Sequence, residues 1–249
     1  MYQVAFSYRD VPAEVDVLLD WFGRHAGGRP GSVLELAAGP ADHAREFARR
    51  GIAATALDLS TEMCRYARER AAAEGLPLEV VRADMAAFDL GREVDLAVLL
   101  LSSDSHLLDL DAFVGHLESV ARSLRPGGLH ILEMTHPKDH FGTDGSTAAE
   151  WEGSDGELTV AARWGADDDP FDAVSQVTQR SVELRVTDGG GTGQVVRDVL
   201  PERLWTATEV TAAVRLSGAF DVVARYGAYS GIPVTDQDAW RMIPVLRRR

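Results

Sequence analysis

What the chain lacks narrows its reading first. Its 249 residues include one cysteine (Cys64), one lysine (Lys138) and no asparagine. A lone cysteine excludes an internal disulfide and fits a reducing compartment. A lone lysine leaves little scope for Schiff-base chemistry. No basic-then-apolar signal opens the chain, and its longest apolar run, Leu96–Leu101, is too short for a membrane span and reads as a buried strand. A cytoplasmic protein with no membrane contact is expected. Neither a G-x-S-x-G elbow nor a P-loop occurs, so hydrolase and phosphotransferase readings have no support. Positive charge is scarce too: 25 Lys and Arg against 39 Asp and Glu give a net charge of -14. Nucleic acid, which needs a basic surface, is not an expected partner. The acidic balance serves solubility and suits a cationic small ligand.

What is present alternates. Val11, Val15, Leu18, Leu19 and Phe22 share one helix face after Asp10 and Pro12, and Gly27–Gly31 closes that helix. Strands follow at Ser32–Leu36, Ala53–Leu57, Leu78–Val81, Val94–Leu101 and Leu129–Glu133. Helices fall between them: Asp42–Arg50, one capped by Ser60 and running to about Glu74, and one with Phe113, Leu117, Val120 and Leu124 inward. Strands separated by single helices imply right-handed crossovers and a parallel sheet, hence an α/β fold. From about residue 142 to 203 the pattern changes to strands without helices (Leu158–Trp164, Ser175–Val186, Gln194–Leu200), an antiparallel insertion. The capping box Thr206–Glu209 opens a last helix to Ser217, and strands are expected at Asp221–Tyr226 and Arg241–Leu246. With no linker in view, residues 1–249 read as one domain carrying that insertion. Trp151, Trp164, Trp205 and Phe171, in or near it, serve its core, a subunit contact or an acceptor pocket.

In an open parallel sheet, ligands bind beyond the carboxyl ends of the strands, where strand order reverses. The first strand ends in Glu35-Leu36-Ala37-Ala38-Gly39-Pro40-Ala41-Asp42, an acid followed by a turn of small residues and a helix. The second ends at Asp58, which can accept hydrogen bonds from both hydroxyls of a ribose. The third is followed by Asp84, suited to an exocyclic amine, beside the soft side chain of Met85. A dinucleotide fits poorly. Centred on Gly39, the G-x-G-x-x-G pattern meets Ala37 and then Asp42, and an acid is the wrong charge where pyrophosphate meets a helix N-terminus.

These residues resemble the class I S-adenosylmethionine (SAM)-dependent methyltransferases, small-molecule type, such as the sugar N,N-dimethyltransferases of antibiotic pathways. The stretches that carry the resemblance are Val33–Ala44, Ala56–Met63, Arg82–Phe88, Val94–Leu107 and Ser123–Glu133, so it covers about residues 8–135. It implies a Rossmann-like, doubly wound seven-stranded sheet, parallel with one antiparallel strand. It places the methionine end of SAM near Glu35, Ala37 and Gly39, ribose on Asp58 with Met63 in the same motif, adenine near Leu59, Asp84 and Met85, and the sulfonium side near Ser102. Tyr8 falls in the N-terminal segment that lids such sites and is a candidate for steering the sulfonium. The implied activity is methyl transfer from SAM to N or O of a small metabolite in secondary metabolism, leaving S-adenosylhomocysteine. A homodimer is compatible with the insertion. One departure stands out. The family's first motif is E/D-x-G-x-G-x-G, and Ala37 and Ala41 replace its outer glycines. Alanine is comfortable there only where φ stays negative.

Methyl transfer needs alignment and, for some acceptors, a base. His106, after the fourth strand, is the first candidate, either as that base or as a loop residue held by its own hydrogen bond. His136 and His140 are candidates for the acceptor side. With Glu133 they suggest a metal at first glance, but Pro137 breaks the helix that would align them, so no metal is expected. Two other readings stay open: a SAM-binding enzyme of different reaction, and a non-catalytic SAM-binding partner.

Overall fold

The computed structural model describes residues 2–141, 148–191 and 193–249. The chain divides into two compact units, Val11–His136 with Trp205–Arg249, and Met1–Asp10 with Pro137–Leu204.

The larger unit is built on strands β1 (Ser32–Leu36), β2 (Ala53–Asp58), β3 (Leu78–Arg82), β4 (Val94–Leu99), β5 (Leu124–Leu132), β6 (Phe220–Tyr226) and β7 (Arg241–Arg248). Their order is β6-β7-β5-β4-β1-β2-β3, and the two-residue strand Met134–Thr135 pairs with β7. Strand β7 runs antiparallel to β5 and β6, and the pairs β5–β4, β4–β1, β1–β2 and β2–β3 are parallel. This is the α/β, doubly wound seven-stranded sheet with one antiparallel strand that the sequence leads one to expect. Leu96, Ala97, Val98 and Leu99 of β4 are all buried, the continuous apolar run of a strand covered on both faces.

Helices α1 (Val11–Ala26), α2 (Asp42–Arg49), α3 (Thr61–Ala73), α4 (Leu110–Ser123) and α5 (Ala207–Ser217) belong to this unit. One core joins α1 and α2 to the sheet through Leu18, Trp21, Phe22 and Phe47, and another joins α4 and α5 through Phe113, Leu117, Val120 and Val214. Helix starts follow local chemistry. The Ser60 hydroxyl accepts from the Met63 amide, Asp109 accepts from Ala112, and Thr206 with Glu209 forms the complete capping box. Trp205 belongs here, not to the insertion: it is buried, donates from Nε1 to the Leu107 carbonyl at 3.2 Å and stacks on Phe113. Strand β5 starts five residues earlier than the sequence suggests. Leu124 pairs with Val94, and Arg125–Gly128 is accommodated as an irregularity before Leu129 meets Leu96.

The smaller unit is an antiparallel sheet in the order Gly193–Arg203, Val177–Asp188, Leu158–Trp164, Ala149–Ser154, with Phe171–Asp172 pairing Val177–Asp188. Helix Tyr2–Ala5 packs on it: Val4 and Ala5 join Val160, Ala162, Val182 and Leu184 in its core, and Trp151 Nε1 donates to the Ala5 carbonyl at 2.8 Å. A side chain on Gly153 would collide with the Val4 carbonyl at 2.0 Å, so this close approach requires glycine. Trp151 and Trp164 stack on each other, whereas Phe171 is exposed.

Candidate active site

Strand order reverses between β1 and β4, and the chain at and beyond the carboxyl ends of β1–β4 carries Ala37, Gly39, Asp58, Leu59, Asp84 and Ser102. Asp58, at the tip of β2, reaches across to the turn after β1: its Oδ2 accepts from the Gly39 amide at 2.7 Å, and its Oδ1 accepts from the Ser60 amide at 2.8 Å. A carboxylate has about four lone-pair sites. With one backbone donor on each oxygen, Asp58 is held in place and keeps acceptor capacity. Gly39 has φ +51°, and a Cβ built on it would meet nothing within 4 Å, so its turn borders open space.

Glu35 behaves differently. It is buried, its Oε2 accepts from the Ala44 amide of α2 at 2.7 Å, and His43 Nδ1 lies 3.5 Å from its Oε1. The N-cap residue of α2, Ala41, has no side chain to offer, so Glu35 supplies the missing acceptor from a neighbouring strand. His43 in turn places Nε2 2.7 Å from Glu14 Oε2 of α1. Sequence reasoning missed His43; the available signal was a histidine two residues past the turn with Glu35 and Glu14 as acids to receive it.

The alanines of the first motif do not keep negative φ. Ala37 has φ 48° and Ala41 has φ 58°. Leu101 and Ser102, after β4, are left-handed as well, at 56° and 55°. Gln176 is the only other described non-glycine residue with positive φ. Each such residue costs about 1–2 kcal/mol, and strain of this kind collects at functional sites. Here it falls on the turns after two adjacent strands. The second turn is held from beneath: Ser102 donates its amide to the Glu133 carbonyl at 2.9 Å, Leu101 donates to Glu133 Oε2 at 3.1 Å, and Thr135 Oγ1 donates to Ser102 Oγ at 2.9 Å.

Glu133 is thereby removed from the metal set imagined for it. Wholly buried, it also accepts from Tyr229 at 3.0 Å and from Arg241 Nε at 3.1 Å. Among the described residues no group of three His, Cys, Asp or Glu side chains is arranged to hold a metal. His136 donates from Nε2 to the Val234 carbonyl at 2.9 Å, so that nitrogen is a donor, not a base. The side chain of His140 lies outside the described residues.

His106 ends the short 3-10 turn Ser103–His106, is exposed, and makes no side-chain hydrogen bond among the described residues. Leu59 is 61% exposed beside Asp58, an uncommon place for a large apolar side chain. Met63 is half-buried in the first turn of α3. Asp84 is exposed and accepts from the Ala86 amide at 2.8 Å, while the Met85 side chain packs into the core rather than standing free. Tyr8 belongs to the smaller unit, 60% exposed, its ring near Phe6 and Trp151. Sequence reasoning also missed the buried histidines His116 and His130, although each interrupts an otherwise apolar face or strand.

Comparison with known proteins bears on this arrangement. A family model of the methyltransferase domain matches residues 33–128, the stretch from β1 to the start of β5. Over 211 residues the chain is 26% identical to the dTDP-3-amino-3,4,6-trideoxy-alpha-D-glucopyranose N,N-dimethyltransferase of Streptomyces venezuelae, covering 84% of each chain. Its fold is similar to the crystal structure of Streptomyces venezuelae DesVI, with TM-score 0.79 and 25% identity over 96% of this chain and 92% of that one. It is also similar to SAM-bound CalS10, an amino pentose methyltransferase from Micromonospora echinaspora, with TM-score 0.77 and 22% identity over 100% and 96% of the two chains. The chain thus carries a methyltransferase domain over residues 33–128, and over most of its length it is similar in sequence and fold to SAM-dependent methyltransferases.

Proposed function

We propose that this enzyme methylates the amino nitrogen of a small, sugar-like metabolite, with SAM held across the tips of β1 to β4. One observation carries the cofactor placement: Asp58 is pinned by the Gly39 and Ser60 amides yet has acceptor capacity left, beside open space at Gly39. The residues present fit SAM by chemistry. Asp58 takes the ribose hydroxyls, exposed Leu59 covers a ring face, Asp84 receives the exocyclic amine, and the Ala37–Gly39 turn and Ser102 border the methionine and sulfonium end. Glu35 acts at one remove, holding α2 and the turn before it. When bound, SAM supplies a methyl group already activated by its sulfonium.

An amine acceptor follows from three supports. Two of the similar proteins carry names of amino-sugar methyltransferases. The chain's charge of -14 favours a cationic amine over an anionic acceptor. A free amine is already nucleophilic, so positioning with one modest base suffices. His106 is that base: exposed, with no hydrogen bond among the described residues, it takes the proton that the amine sheds. His136, with Nε2 committed to Val234, contributes only position. Incubation with SAM and a panel of amino sugars and matched hydroxy sugars, followed by mass spectrometry, tests this. Products one or two methyl groups heavier from the amines alone are expected. Methylation of the hydroxy sugars alone would overturn the nitrogen assignment, and an isomerised product would overturn methyl transfer.

A further inference from the structure

Helix α4 grips the segment after β3 along a single face. His116 Nδ1 lies 2.9 Å from the Met85 carbonyl oxygen. The Phe88 amide donates to Ser119 Oγ at 3.3 Å, and Arg122 donates to the Phe88 carbonyl at 3.2 Å and to Ser119 Oγ at 2.9 Å. A Cβ on Gly115 would approach the Ala86 carbonyl to 3.0 Å, so helix and segment already press together. Residues 116, 119 and 122 recur every three positions, the spacing of one helix face.

Behind His116 stands a second histidine. His116 Nε2 is 3.0 Å from His130 Nε2, and His130 Nδ1 is 3.2 Å from the Ala97 carbonyl of β4. Both imidazoles are wholly buried. A polar chain thus crosses the core from β4, through two rings, to Met85. Burial pushes both rings below their ordinary pKa, His116 to about 4, so both are neutral at physiological pH. Two neutral rings bring two N–H groups to three contacts. The Met85 carbonyl can only accept, so His116 carries its proton on Nδ1 and donates to it, and the one N–H of His130 is left to serve the other two contacts. An apolar pair would fill the same volume but leave the Met85 carbonyl without this donor. What the histidines add is a fixed position for the segment that begins at Asp84.

We propose that His116, backed by His130, is a positioning residue that holds the Met85 carbonyl so that Asp84 meets the adenine amine of the cofactor. This rests on the cofactor placement above. Asparagine in place of His116 puts an amide N–H where Nδ1 stood and keeps the Met85 contact, whereas glutamine reaches toward His130 and loses it. Binding of S-adenosylhomocysteine and of its inosine counterpart, which lacks the exocyclic amine, is measured by calorimetry for the native protein, His116→Asn and His116→Gln. The native protein and His116→Asn are expected to prefer the adenosine form by about ten-fold or more, and His116→Gln to lose most of that preference. A purely structural role would lower stability in both variants and leave the preference intact, which would overturn the proposal. Should both variants fail to fold, the His116 Nδ1 proton of the native protein, followed by ¹⁵N-edited NMR, decides. It is expected to shift when S-adenosylhomocysteine binds, and an unmoved signal at saturation refutes the positioning role. A native protein that binds neither SAM nor S-adenosylhomocysteine would instead remove the cofactor placement itself.

Discussion

The left-handed alanines offer a test in which magnitudes decide the outcome. Ala37 has φ 48° and Ala38, its neighbour in the same turn, is not among the positive-φ residues. Ala37→Gly relieves about 1–2 kcal/mol of left-handed strain. Against this stand about 0.5–1 kcal/mol for the greater freedom of glycine in the unfolded chain and part of the roughly 0.8 kcal/mol that burial of a methyl contributes. The two sides nearly cancel, so the single variant is a poor test. Ala38→Gly meets the same costs without the relief. Ala38 is buried and donates its amide to Leu57, so nothing in that site favours glycine. The difference between the variants therefore isolates the strain: Ala37→Gly should be more stable than Ala38→Gly by about 1–2 kcal/mol. For a chain of this size each kcal/mol moves Tm by about 2–4 °C, so thermal scans should separate the two by roughly 2–8 °C. Equal Tm values, or a lower value for Ala37→Gly, would refute the claim that the first-motif turn is strained at Ala37.

The remaining expectations are as direct. Glu35→Ala leaves the Ala44 amide without its acceptor in a buried place, so chemical denaturation should show a loss of about 1–3 kcal/mol. His116 and His130 are neutral in the folded protein, while the unfolded chain takes up protons as pH falls through the ordinary histidine value of 6.5. Stability present above pH 6.5 should therefore decline towards pH 4, by up to about 1.4 kcal/mol per pH unit for each histidine, and His116→Asn should flatten that slope. His106→Ala should fold and bind SAM like the native protein but turn over about 10²–10⁴-fold more slowly with an amine acceptor at neutral pH, since it removes the base alone. Unchanged turnover there would dismiss His106.

Much of this was legible in the sequence because local chemistry and global fold agree. Strand β4 is apolar at nearly every position, Ser60 and Thr206 cap the helices they precede, and the acids Asp58 and Asp84 stand at strand tips. The strand Ala149–Ser154 was not legible. In its sequence AEWEGS, Trp151 is the one large apolar residue, set between two glutamates and followed by a glycine, too weak an alternation to mark a strand, and it forms as an edge strand through main-chain pairing with Leu158–Trp164. Turn conformation was not legible either, because alanine carries no mark of positive φ; only hydrogen bonds such as Asp58 to the Gly39 amide reveal how the turn is held. The bond from the Ala44 amide to Glu35 was not legible, although a buried carboxylate must find donors within the fold. The His116–His130 pair depends on 14 residues of separation closing to 3.0 Å, which no local pattern encodes.

The most direct test is calorimetric titration of SAM, with NAD as the control, into the native protein and into Asp58→Ala. SAM should bind the native protein and NAD should not, and the variant should bind SAM more weakly by about 1–3 kcal/mol, the loss of a charged acceptor. A native protein that takes NAD in preference to SAM, or an Asp58→Ala protein with undiminished SAM affinity, would contradict the account.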